Sequence, residues 1–78
     1  MDVRSRLALN IKRLRKARGW SQEALADAVP IDRTYISGIE RGTRNPTATV
    51  LKELADALQV SPGVLLDGPP DRPSLPGA

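Results

Sequence analysis

The sequence predicts an all-α domain of five short helices with a Pro-rich tail. Three observations carry that prediction. Apolar residues recur at three- and four-residue intervals, the spacing of one helix face. Cap residues and Gly or Pro stops punctuate the chain at short distances. Two aromatic side chains, Trp20 and Tyr35, stand among 78 residues, so the core must be aliphatic, built of Leu, Ile, Val and Ala.

Leu7, Ile11 and Leu14 lie at i, i+4 and i+7, predicting a first helix from about Ser5 to Arg18 that stops at Gly19, a natural left-handed residue. Trp20 is expected to pack against the next helix start. Ser21 offers an N-cap, with Gln22 and Glu23 in the first turn and Leu25, Ala26 and Val29 as the apolar stripe. Pro30 ends this second helix because its ring cannot continue the hydrogen-bond ladder. Asp32 caps a third helix from Arg33 to about Arg41, with Ile36 and Ile39 facing inward and Gly42 as its stop. After a polar loop, Thr47 caps a fourth helix with the stripe Leu51, Leu54, Ala55 and Leu58. Ser61-Pro62 starts a very short fifth helix through Val64, Leu65 and Leu66. These helices form one domain over residues 1–67. Residues 68–78 hold four of the seven prolines and are expected to be disordered or extended.

Composition excludes several kinds of chemistry. The chain has no cysteine and no histidine, hence no disulfide, no zinc–thiolate site and no imidazole base. No cofactor or metal is expected. Glu23, Asp27, Asp32, Glu53 and Asp56 fall at caps or on exposed faces without a nucleophile or a phosphate loop beside them, so an enzyme is not expected. No apolar run approaches the roughly 20 residues of a membrane span, and early charges interrupt any signal-peptide core. The expected location is the cytoplasm, with no membrane and no small-molecule ligand. A domain of this size buries only about 60% of its unfolded surface, so the core is small.

The net charge of +3 is unevenly placed. Residues 1–44 carry ten Lys or Arg against five acids, a local +5; residues 45–78 carry two against four, a local −2. One basic half for a polyanion and one more neutral half is the reading this supports.

Helices two and three are short and joined only by Val29-Pro30-Ile31-Asp32. So tight a connection makes them cross steeply, the helix-turn-helix arrangement. Its second helix projects its N-terminal residues outward, here Arg33, Thr34 and Ser37 with Tyr35 beside them, and Ser37 and Gly38 keep the outer face slim. Arg reads guanine O6 and N7 bidentately, and a Thr methyl suits thymine. The expected partner is double-stranded DNA.

The stretch Gly19-Trp20-Ser21-Gln22-Glu23-Ala24-Leu25-Ala26 resembles the G-[LW]-[ST]-Q-x-x-L-A opening of Xre/Cro-type regulators. Arg33-Thr34-Tyr35-Ile36-Ser37-Gly38-Ile39-Glu40-Arg41-Gly42 resembles their recognition helix, and Thr43-Arg44-Asn45-Pro46-Thr47 their following loop. The likeness covers roughly residues 6 to 67, and the single-domain length looks most like small restriction–modification controller proteins. It implies a five-helix, lambda-repressor-like DNA-binding domain acting as a transcriptional regulator. Residue by residue, it implies base reading by Arg33, Thr34, Ser37 and, held more loosely, Tyr35. It implies phosphate contacts by Gln22, Arg41, Arg44 and Asn45. Lys12, Arg13 and Lys16 match no specific contact and add long-range attraction. Arg15 and Glu40 match a partly buried ion pair of phage repressors. The chain departs from the family at Pro30, where Gly usually makes the turn, so the turn must take another shape.

One such unit makes few contacts, and each matched base pair is worth only about 1–3 kcal/mol. A homodimer on a two-fold operator is therefore expected, with Val64, Leu65 and Leu66 as the dimer interface and the third helices about 34 Å apart in successive major grooves. No sensor domain accompanies the five helices, so regulation is expected to follow the protein's own concentration. For a controller, the resemblance implies activation at low occupancy and repression at high. The competing reading is an antitoxin or coactivator-like module that uses the same helices to bind a protein.

Overall fold

A computed structural model describes residues 2–67. The Pro-rich segment expected to be disordered or extended, residues 68–78, lies outside the described residues. Five helices follow one another: α1 (Val3–Ala17), α2 (Gln22–Ala28), α3 (Arg33–Glu40), α4 (Ala48–Leu58) and α5 (Pro62–Leu66). α1 packs on α3 and α5, α2 on α3, and α4 on α5.

Each helix starts where its chemistry dictates. The side chains of Asp2, Ser21, Asp32 and Thr47 accept hydrogen bonds from backbone N–H groups two or three residues on, satisfying donors that the first turn leaves free. Asp2 explains why α1 begins two residues before the expected Ser5: its carboxylate takes the Ser5 N–H at 2.9 Å. Ser61 occupies the cap position of α5 without a side-chain bond, and Pro62 alone sets that start.

Three helices end in the same way. Behind α1, Trp20 N–H reaches the Arg15 carbonyl and Gly19 N–H that of Lys16, at 3.1 and 2.9 Å. Behind α3, Thr43 and Gly42 repeat the pattern onto Gly38 and Ile39, at 2.9 and 3.0 Å. Behind α4, Val60 and Gln59 repeat it onto Ala55 and Asp56, at 2.9 and 3.1 Å. This Schellman pattern needs one left-handed residue. Gly19 (φ 73°), Gly42 (φ 76°) and, with no glycine to announce it, Gln59 (φ 60°) provide it.

The turn between α2 and α3 is built around Pro30. The Val29–Pro30 peptide is cis, Val29 closes α2, and the Ile31 N–H returns to the Ala26 carbonyl at 2.8 Å.

The core joins every helix. Leu7 and Ile11 of α1 meet Leu25, Ala26 and Val29 from α2 and its end, Ile36 and Ile39 of α3, Leu54, Ala55 and Leu58 of α4, and Leu65 of α5. Each large aliphatic side chain buried this way contributes roughly 1.5–3 kcal/mol. Trp20, Tyr35 and Leu51 pack half-buried against this cluster. Leu65 is fully buried within its own chain. That corrects the expectation that it lines a dimer interface: the inward side of α5 faces α1, and only the flanking Val64 and Leu66 keep partial exposure.

Asn10 is a polar side chain buried beside this apolar cluster. It lies at 1% exposure on the face of α1 that carries Leu7 and Ile11. Its Nδ2 donates to the carbonyls of Asp67 (2.8 Å) and Leu65 (2.9 Å), with Val64 a longer third at 3.3 Å. The last carbonyls of a helix have no partner inside it. One amide from α1 therefore caps α5 and fixes where the short helix sits.

Candidate nucleic-acid interface

α3 has two unlike sides. Ile36 and Ile39 are fully buried, whereas Arg33 and Thr34 are exposed. Asp32 organises the exposed end: its Oδ1 accepts the Thr34 N–H at 2.7 Å. That backbone hydrogen bond, with the charge of Arg33 adding to it, holds the Asp32 carboxyl below its usual range. The α2–α3 turn and the cap thus present the first turn of α3 outward, led by Arg33 and Thr34, two of the four side chains that the resemblance implies as base readers.

The C-terminal end of α3 is clamped from behind. Arg15 of α1 donates from Nε to Glu40 Oε2 at 2.6 Å and from Nη2 to Oε1 at 2.9 Å. Its Nη1 donates to the Trp20 carbonyl at 2.7 Å. The ion pair implied by the resemblance is present and buried. Burial pushes the Glu40 carboxyl upward, but hydrogen bonds from Arg15 and Gln22 and nearby positive charge outweigh it, and the group sits below its ordinary range. The same pair raises Arg15.

Apart from Asn45, the remaining site residues fall into three local contacts. Gln22, implied as a phosphate contact, turns its Nε2 onto Glu40 Oε1 at 3.1 Å and so closes the Arg15–Glu40 pair. Arg41 is exposed and donates from Nη1 to Ser37 Oγ at 2.6 Å, which joins a residue implied as a gripper to one implied as a reader. Arg44 lies back across α3 with its guanidinium 5.2 Å from the centre of the Tyr35 ring. Asn45 is exposed in the loop.

Gly38 was expected to slim the outer face, and instead it is buried beneath Arg44. A Cβ placed on it would come within 3.0 Å of the Arg44 Cγ and Cδ.

Two features of the scaffold were not foreseen. Arg18 stacks on Trp20 at 5.0 Å and reaches Gln59 Oε1 at 2.5 Å, tying the ends of α1 and α4. The other is buried Asn10. Its signal was available, because position 10 falls with Leu7, Ile11 and Leu14 on the buried stripe, where a polar side chain must find partners.

No described helix is long and apolar enough to cross a membrane. The helix-turn-helix family model matches residues 11–65. The chain is 42% identical over 66 residues to the control protein C.SmaI of Serratia marcescens, spanning 85% of this chain and 79% of that protein. It is similar to the crystal structure of the hypothetical transcription factor NHTF from Neisseria, with a TM-score of 0.84 and 41% identity over 87% of this chain and 78% of that one. It is also similar to the restriction-modification controller protein C.Esp1396I, crystallised as a tetramer with its natural 35 base-pair operator; there the TM-score is 0.75 and the identity 42%, over 83% and 86% of the two chains. The outward face of α3, its clamped rear and these likenesses together identify the chain: it belongs to the helix-turn-helix family of Xre-type DNA-binding transcriptional regulators, which are not enzymes.

Proposed function

We propose that this regulator acts inside the cell as a homodimer on a two-fold double-stranded operator, as a controller of the restriction–modification type. Each copy lays α3 in the major groove. Arg33, Thr34, Ser37 and Tyr35 face base edges, while Arg41, Arg44, Asn45 and Gln22 hold the flanking backbone. The observation that carries this reading is the division of α3 into a buried rear and an exposed first turn bearing Arg33 and Thr34. The local charge of +5 over residues 1–44 supports the polyanion partner. Val64 and Leu66, at the half-exposed edge of α5, supply the apolar part of the dimer contact.

Two measurements test the proposal together. Sedimentation equilibrium reads the oligomeric state, and a salt titration of duplex binding reads the electrostatic contacts. A dimer at tens of micromolar, with binding that weakens steeply as salt rises, is expected. A monomer at that concentration overturns the dimer. Salt-insensitive or absent duplex binding overturns the regulator in favour of a protein-binding module.

A further inference from the structure

Gly38 lies near the C-terminal end of α3 with ordinary helical backbone. No left-handed φ asks for glycine there, and glycine weakens a helix interior relative to alanine. Its neighbour provides a reason. A Cβ at Gly38 would meet Cγ and Cδ of Arg44 at 3.0 Å and Nε at 3.3 Å, closer than such atoms ordinarily approach. Thr43 brings the loop back over the helix, with its N–H and Oγ1 both on the Gly38 carbonyl at 2.9 and 3.1 Å. From there the stem of Arg44 crosses α3 at Gly38 and its guanidinium ends over Tyr35, 5.2 Å from the ring centre. Stacking uses the face of a guanidinium and leaves its N–H fork, which lies in the plane, open to a bidentate acceptor.

We propose that Gly38 is a positioning residue: its missing side chain seats Arg44 across α3 against Tyr35, and the seated pair reads bases as one unit. This rests on the regulator reading above and revises one part of it, the assignment of Arg44 to the phosphate backbone. A backbone-gripping arginine on a loop needs reach and charge. This one is held against the face that carries Arg33 and Thr34, where pre-organisation lowers the cost of ordering a long side chain.

The test has two arms. In the free protein, NMR of the arginine side chains reads the ring-current shift that Tyr35 imposes on Arg44. The shift should be present in the wild type and in Tyr35→Phe, and lost in Tyr35→Ala and in Gly38→Gln, which fills the trough with a good helix former. In the second arm, affinities are measured for a site selected from random duplex DNA and for random duplex itself. Gly38→Gln should weaken the selected site about tenfold or more and random duplex less than about twofold. The same substitution made on Arg44→Ala should change neither. Gly38→Ala, which favours the helix, should act in the same direction at smaller size without lowering the melting temperature. An unshifted Arg44 in the wild type overturns the seat, whatever the protein binds. Equal losses on both DNAs, or additive effects of Gly38→Gln and Arg44→Ala, overturn the reading role. A wild type indifferent between selected and random duplex overturns the regulator reading itself, and shows this before any variant is compared.

Discussion

Arg15 on α1 and Glu40 at the end of α3 grip each other through two parallel hydrogen bonds, with their side chains 10% and 2% exposed. Trp20 and Gln22 complete the cluster from the α1–α2 loop and the first residue of α2. A single carboxylate thereby relates all three helices that aim the recognition face, and the tilt of α3 depends on it. Removing one partner strands a buried charge. Glu40→Ala should therefore cost about 3–5 kcal/mol, while replacing both residues by apolar ones of similar volume should cost much less. Urea unfolding followed by Trp20 fluorescence checks both. Equal losses for the single and double replacements would contradict the account.

The same carboxylate predicts an acid limit to stability. Its pKa lies below the usual 4.5 in the folded state. The folded form therefore binds fewer protons than the unfolded form, and the contribution is complete above that value and lost as pH falls through the folded pKa. Asp2 and Asp32, lowered from 3.8 by backbone hydrogen bonds to Ser5 and Thr34, act in the same sense. The melting temperature should be level from pH 7 to pH 5 and fall below about 4.5. In Glu40→Gln the fall should be shallower. Melting curves across that range provide the check.

Readers and grippers should separate on DNA. Arg33 is exposed at the first position of α3. Arg33→Ala is expected to cost about 1–3 kcal/mol on the selected site and to relax preference at one base pair. Arg41→Ala should weaken selected and random duplex alike and reduce the salt slope by about 1. Competition binding at several salt concentrations decides it. Identical behaviour of the two variants would show that the division is wrong.

Asn10 should matter more than its surface neighbours. Asn10→Ala leaves the last carbonyls of α5 without their buried donor, which should cost about 1–3 kcal/mol. The loss should be local first. Amide exchange in α5 should speed up more than in α2 or α3, and dimer affinity should fall with it if Val64 and Leu66 form the contact. Unchanged exchange in α5 would mean that the amide does not hold the helix.

Much of this was legible in the residues because it is local. Caps at Ser21, Asp32 and Thr47, stops at Gly19 and Gly42, and the stripes of α2 and α3 depend on neighbours in sequence. What escaped depends on partners far along the chain. Leu65 reads as a spare apolar residue until α1 covers it. Asn10 reads as polar surface until the carbonyls of Leu65 and Asp67 stand against it. Gln59 takes a left-handed conformation that its type does not announce, with Arg18 holding its side chain. In the site, Gly38 and Arg44 are six residues apart with a turn between them. Helical position set the first on the outer face, and the resemblance implied backbone contact for the second.

The central claim is that two copies present α3 to one operator. Selection of bound sites from random duplex DNA tests it most directly. An inverted repeat is expected, with half-sites one helical turn, roughly 34 Å, apart. A single unrepeated site, or no enrichment at all, would contradict it.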